Sequence, residues 1–167
     1  LILVQVGSLL AQQPAKVAKK FFPDPEMDIQ TPWFQKGRKF TTYNEMMTYI
    51  CQLVTQHPDK ATLNFIGKTQ KGKEIPAVTI SGKTKNTKMR VLFLGRVHGD
   101  EPGSTESMLY TMERLLNDPE LAYLLQRLEI TIIPMVNIDG GSHLERVTAN
   151  TLDLNRDQSK LATPEAV

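Results

Sequence analysis

The 167-residue chain contains one cysteine, Cys51, so no internal disulfide can brace it. Histidine is scarce as well: any imidazole chemistry must come from His57, His98 or His143. A dominant charge is missing. Twenty Lys and Arg against eighteen Asp and Glu leave a net +2, which gives no basis for a nucleic-acid partner. No apolar run reaches the roughly 20 residues that a membrane-spanning helix needs, and there is no internal repeat or low-complexity stretch. What remains is ordinary for a globular protein, at 40% hydrophobic and 23% charged residues, in a chain long enough for one domain with its own core. The lysines at 68, 71, 73, 83, 85 and 88 gather around turns and read as solvated loop charges.

The first eleven residues, LILVQVGSLLA, are almost wholly apolar. That is the size of a signal-peptide hydrophobic region and too short to cross a bilayer. The segment lacks a preceding Met and basic residues, so the expectation is a partial signal peptide over 1–11 on an exported, periplasmic or extracellular protein. A buried strand or short helix is the competing reading. Leu9 fits poorly where a small residue is expected ahead of cleavage after Ala11. No cysteine follows the segment, which argues against a lipid anchor. Residues 12–40, rich in Pro, Lys and Asp and carrying Trp33 and Phe34, read as an extended lead-in lying on the surface of a domain that occupies 41–167.

Within that domain Thr42-x-x-Glu45 is a capping box. Tyr43, Met46, Met47, Ile50, Leu53 and Val54 then recur at helical spacing until Pro58, with Cys51 expected to be partly buried among them. Leu63–Ile66 and Ile75–Ile80 read as strands around a Gln70–Lys73 turn. Pro76 implies an edge or irregular position in the second of them. Val91–Leu94 is a continuous apolar run, as in a strand covered on both faces. A helix is expected from Pro102 or Gly103, with Met108, Leu109, Met112, Leu115 and Leu116 on its apolar face. A second, short helix is expected over Leu121–Leu128, then a strand over Ile130–Val136 and a turn at Asn137–Gly141. This alternation argues for an α/β fold, and the crossover spanning 91–136 for parallel strands.

Ligands in open α/β sheets gather beyond the carboxyl ends of strands. His98 lies four residues past Leu94, in such a place, and Glu101 follows three residues later. An imidazole and a carboxylate so placed suit Zn²⁺, which accepts both and keeps a position open in catalytic sites. Alone, His-x-x-Glu is a weak signal: a loop histidine beside a Glu favoured by a helix N-terminus gives the same pattern. Arg146 is either a solvated loop arginine or a guanidinium that meets a developing oxyanion. Arg156 offers a planar fork for a carboxylate and Asn155 an amide donor, or the two belong to a polar turn. Asp153 is either a surface acid or the acceptor for the second ring nitrogen of His98. His57, beside a helix end, and His143, in a turn-rich loop, are weaker ligand candidates.

With Gly95-Arg96-Val97-His98-Gly99-Asp100-Glu101, Asn137-Ile138-Asp139-Gly140, Arg146 and Asp153-Leu154-Asn155-Arg156-Asp157 in this order, the chain resembles the zinc carboxypeptidase family from about Thr41 to Val167. The resemblance implies a three-layer α/β/α sandwich around a mixed sheet, present here as an incomplete N-terminal half. It implies that His98 and Glu101 bind Zn²⁺, that Asp153 orients His98, and that Arg146 stabilises the oxyanion. Asn155 and Arg156 would hold the terminal carboxylate of a peptide substrate. Asp100 stands where pancreatic-type members carry a further substrate-binding arginine. The family's third ligand, a later histidine, and its general base, a glutamate, have no place in this chain. The expected function is therefore a zinc metallocarboxypeptidase when full length, with an inactive fragment here. The alternatives are a related amidase or peptidase acting on cell-wall peptides, or a non-catalytic binding module on the same fold.

Overall fold

A computed structural model describes residues 30–37, 39–84 and 88–167. The expected signal segment and most of the lead-in lie outside the described residues. The last part of the lead-in carries a single helical turn, α1 (Pro32–Gln35). The elements that follow are α2 (Tyr43–Gln56), β1 (Ala61–Lys68), β2 (Glu74–Ser81), β3 (Met89–Leu94), α3 (Gly103–Asn117), β4 (Leu128–Ile133) and the one-turn α4 (Ile138–Gly141).

Helix α2 starts where its capping box predicts. The Thr42 hydroxyl accepts from the Glu45 N–H, and the Glu45 carboxylate accepts from the Thr42 N–H at 2.8 Å. Met46, Tyr49, Ile50 and Leu53 form its buried stripe. Cys51 falls on the outer face and is exposed, not partly buried, because it sits one residue off that stripe. Helix α3 begins at Gly103, directly after Pro102, and buries Leu109, Met112, Leu115 and Leu116.

The four strands form one mixed sheet in the order β1-β2-β4-β3. β1 pairs antiparallel with β2, β2 antiparallel with β4, and β3 parallel with β4. In register, Ala61, Ile80, Ile130 and Val91 form one cross-sheet row, and Leu63, Val78, Ile132 and Phe93 the next. Both helices join the core cluster that contains Val78, Ile80, Ile130 and Ile132. Burying such Ile, Val and Leu side chains contributes roughly 1.5–3 kcal/mol each, the dominant favourable effect in the fold. Pro76 sits opposite Phe65, where the β1–β2 register shifts, and β2 pairs with β4 only from Val78 onward. The missing N–H at Pro76 therefore falls at an irregular, half-paired stretch, as expected.

Two expectations are corrected. Val91–Leu94 is not covered on both faces: Leu92, Phe93 and Leu94 are 57%, 40% and 50% exposed, and among the described residues β3 pairs only with β4. Leu121–Leu128 is not a helix but two 3₁₀ turns, Pro119–Leu121 and Leu124–Gln126, with Leu128 already in β4. The carbonyl of Leu125 accepts from the Gly82 N–H at 2.9 Å, a tertiary bond that takes the place of a helical one.

Candidate functional site

The parallel pair β3–β4 continues past its strand ends and fixes two segments side by side. The Gly95 N–H donates to the Ile133 carbonyl at 2.7 Å, and the Val136 and Asn137 N–H groups donate to the carbonyls of Gly95 and Arg96, both at 3.0 Å. The first segment runs into His98–Glu101 and the second into α4. The Thr105 hydroxyl, fully buried, donates to the Pro134 carbonyl at 2.9 Å and pins the start of α3 to the same place. Asn137 caps α4, its Oδ1 accepting from the Gly140 N–H at 3.0 Å, and its Nδ2 donates to the Arg146 carbonyl at 3.2 Å.

His98, Glu101, Arg146 and Asp153 meet on this foundation. His98 is 8% exposed. Its Nδ1 lies 3.0 Å from Glu101 Oε1 and its Nε2 3.1 Å from Asp153 Oδ1. Arg146 donates from Nε and Nη2 to Asp153 Oδ2, both at 3.3 Å, and its Nη1 stands 3.6 Å from Glu101 Oε1. Burial works to raise the Asp153 carboxyl, but the His98 ring, the Asn155 N–H and the Arg146 charge outweigh it and hold it below the ordinary carboxylate range. Asp153 is thus an ionised acceptor at neutral pH.

A neutral imidazole donates through one nitrogen only. A ring that donates from Nε2 to Asp153 turns the Nδ1 lone pair toward Glu101. An imidazole nitrogen and a carboxylate oxygen then face one gap, the donor pair of a zinc site. Two ligand atoms on a tetrahedral zinc lie roughly 3.4 Å apart, given metal–ligand bonds of about 2.0–2.2 Å. The observed 3.0 Å between Nδ1 and Oε1 is a hydrogen-bond distance, and the two atoms would part by about 0.4 Å to take a metal between them. Among the described residues no group of three or more His, Cys, Asp or Glu side chains is placed to hold a metal. His98 and Glu101 are two donors of the kind that zinc accepts.

Asn155 and Arg156 are not drawn into this cluster. Both are exposed, in a 3₁₀ turn, Leu154–Arg156, that is anchored by the buried Leu154. The Asn155 backbone N–H donates to Asp153 Oδ1 at 3.0 Å, and the Arg156 guanidinium donates to the Asn155 carbonyl at 3.4 Å. His57 Nε2 lies 3.1 Å from Asn117 Oδ1, at the far end of α2, and His143 is exposed. A cavity of about 430 Å³ is walled by Thr41, Tyr43, Lys73, Arg96, Ser142 and Leu144, and His98 does not line it.

Three residues in the foundation carry more than their sequence pattern suggested. Asp139 is 1% exposed, and its Oδ2 accepts from the Lys71 N–H at 2.9 Å, tying α4 to the β1–β2 turn. Asn137, fully buried, is the cap just described; an Asn ahead of a turn is a readable cap signal. Arg96 is 3% exposed and has φ +50°, and nothing in the local sequence announces either.

Together these features define a mixed α/β domain with an acid–histidine–arginine cluster at the carboxyl edge of its parallel strands. Residues 46–162 match the zinc carboxypeptidase family, and the chain belongs to it. It is 35% identical over 132 residues to "Carboxypeptidase 2" of Trichophyton equinum, covering 75% of this chain and 22% of that protein. It is 30% identical over 142 residues to "Zinc carboxypeptidase" of Saccharothrix mutabilis subsp. capreolus, covering 81% and 32%. The crystal structure of a metallo-carboxypeptidase from Burkholderia cenocepacia superposes with a TM-score of 0.69 at 22% identity, over 75% of this chain and 36% of that one. The chain thus spans about a fifth to a third of these curated relatives, and its fold is a partial match to that crystal structure.

Proposed function

We propose that this chain supplies the two-ligand half of the zinc centre in an exported metallocarboxypeptidase, an enzyme that removes C-terminal residues from peptides. The observation that carries the reading is His98, held between Glu101 on one ring nitrogen and Asp153 on the other. A third ligand and a general base would come from polypeptide outside these residues. So would the second helical layer of the α/β/α sandwich, over the sheet face that carries Leu92 and Leu94.

In this reading His98 and Glu101 hold the metal. When bound, zinc supplies a Lewis acid for a scissile carbonyl and acidifies water. Asp153 fixes the His98 tautomer through Nε2 and anchors the Arg146 guanidinium. The Arg146 side chain is 46% exposed, and its Nη1, held only loosely 3.6 Å from Glu101 Oε1, would turn to negative charge developing on a substrate oxygen. Asn155 and Arg156, exposed on the adjoining turn, would receive the peptide's terminal carboxylate. The family name and the donor chemistry support zinc and a peptide substrate; export rests on the apolar character of residues 1–11.

The test uses the longest natural form of the protein. Metal analysis should give one zinc per chain, and release of C-terminal amino acids should stop with a chelator and return with zinc. Activity indifferent to chelation, or a protein that carries no zinc, would overturn the reading. Zinc without peptide hydrolysis would point to the binding module instead.

A further inference from the structure

The interior between the two site-bearing segments is filled by one charged side chain, Arg96. Its Nε donates to the Gly99 carbonyl at 3.0 Å, and its Nη2 donates to the Gly141 carbonyl at 3.1 Å. Gly99 lies inside the His98–Glu101 loop and Gly141 closes α4. The fork therefore clasps the two loops from within. The backbone of the same residue joins the same parts. Its N–H donates to Ser104 Oγ at 2.8 Å, that hydroxyl donates to the Glu101 carbonyl at 3.1 Å, and the Arg96 carbonyl accepts from the Asn137 N–H. The guanidinium packs so closely on Gly141 that a Cβ there would meet Nε at 3.1 Å and Cζ at 3.2 Å.

Two features show that this is a built arrangement. Burial works against the Arg96 charge, and two carbonyls, the Met135 sulfur at 4.0 Å and the opposite charges of Glu106 and Asp100 offset part of that cost. Arg96 also holds a left-handed backbone, φ +50°, which is strained at a non-glycine residue and which the surrounding contacts must offset.

We propose that Arg96 is a positioning residue for the metal ligands. Its fork sets the 97–101 loop against α4, so that His98 and Glu101 present Nδ1 and Oε1 to one point. The inference rests on the zinc reading for what the ligands do, and on the geometry alone for how they are held. A lysine keeps the charge but lacks the planar fork that satisfies two carbonyls at once.

The test compares the 167-residue chain with Arg96→Asn and Arg96→Lys. Asparagine tolerates the left-handed backbone, so what Arg96→Asn removes is the guanidinium. Amide hydrogen exchange is followed residue by residue, and Co²⁺ is titrated as an absorbing stand-in for zinc. Arg96→Asn is expected to speed exchange about tenfold or more in residues 97–101 and 138–141 while β4 keeps its protection, and to weaken Co²⁺ about tenfold. Arg96→Lys should fall between. Unchanged exchange in both loops, an equal acceleration in β4, or loosened loops with unchanged Co²⁺ affinity would each overturn the proposal. Parent protein that takes up no Co²⁺, with loops that loosen as described in Arg96→Asn, would sink the metal reading and leave the clasp standing.

Discussion

A single carbon added at Gly99 would sit 2.3 Å from Glu145 O and Gly140 C, and 2.4 Å from Gly141 N. Three backbone atoms cannot all give way, so Gly99→Ala should cost at least the upper end of the ~1–3 kcal/mol typical of overpacking. Urea unfolding measures it, and a midpoint within error of the parent would show that the two loops are not in contact. Gly99 lies between the two candidate ligands, His98 and Glu101, where a bend alone would suit a glycine. The left-handed backbone is in fact at Arg96, while Gly99 is needed because another segment passes against it. Its type was legible and its reason was not: close approach depends on residues more than 40 positions away. The contact of His98 with Asp153, across 55 positions, was one of two readings open in the sequence, resting on the habit of metal-bound histidines of donating their second nitrogen to a carboxylate or carbonyl. Arg96 was invisible, since a buried arginine has the same local pattern as a solvated one.

Elements fixed by local chemistry were the most readable. The α2 capping box depends only on Thr42 and Glu45, and removing it in Thr42→Ala should cost about 1 kcal/mol, measured by urea unfolding at pH 7. Acid gives a second check. Hydrogen bonds from Lys36 and Thr42 hold the Glu45 carboxyl down to about 2, against an unfolded value of about 4.3. A depressed carboxyl contributes stability above its unfolded value and loses it as pH falls through the folded one. The deficit of Thr42→Ala should therefore shrink between pH ~4 and ~2, and a deficit constant across that window would count against the assignment. Strand environment was less readable. Val91–Leu94 has the composition of a doubly covered strand, yet the number of neighbours a strand has is decided by distant chain, not by its own residues. The 121–128 stretch failed as a helix for a similar reason, because the bond between Gly82 and Leu125 is tertiary.

At the scale of the molecule, β3 leaves one edge of the sheet without a partner among the described residues. Met89, Leu92, Phe93 and Leu94 stand exposed along that strand. An apolar, unprotected edge is a template for pairing with another chain. The isolated chain should associate as its concentration rises, and Leu92→Lys should shift it toward monomer in sedimentation velocity. Parent protein that stays monomeric at high concentration would show the edge to be covered. Such an edge is what a chain spanning about a fifth to a third of its curated relatives would present if further strands belong beside β3.

The whole account turns on His98 and Glu101 sharing one metal, and a zinc-binding isotherm on the 167-residue chain, His98→Ala and Glu101→Gln tests it most directly. The parent should bind one zinc weakly, as two protein ligands allow, and both variants should lose it. Equal zinc affinity in all three proteins, or no binding in the parent, would contradict it.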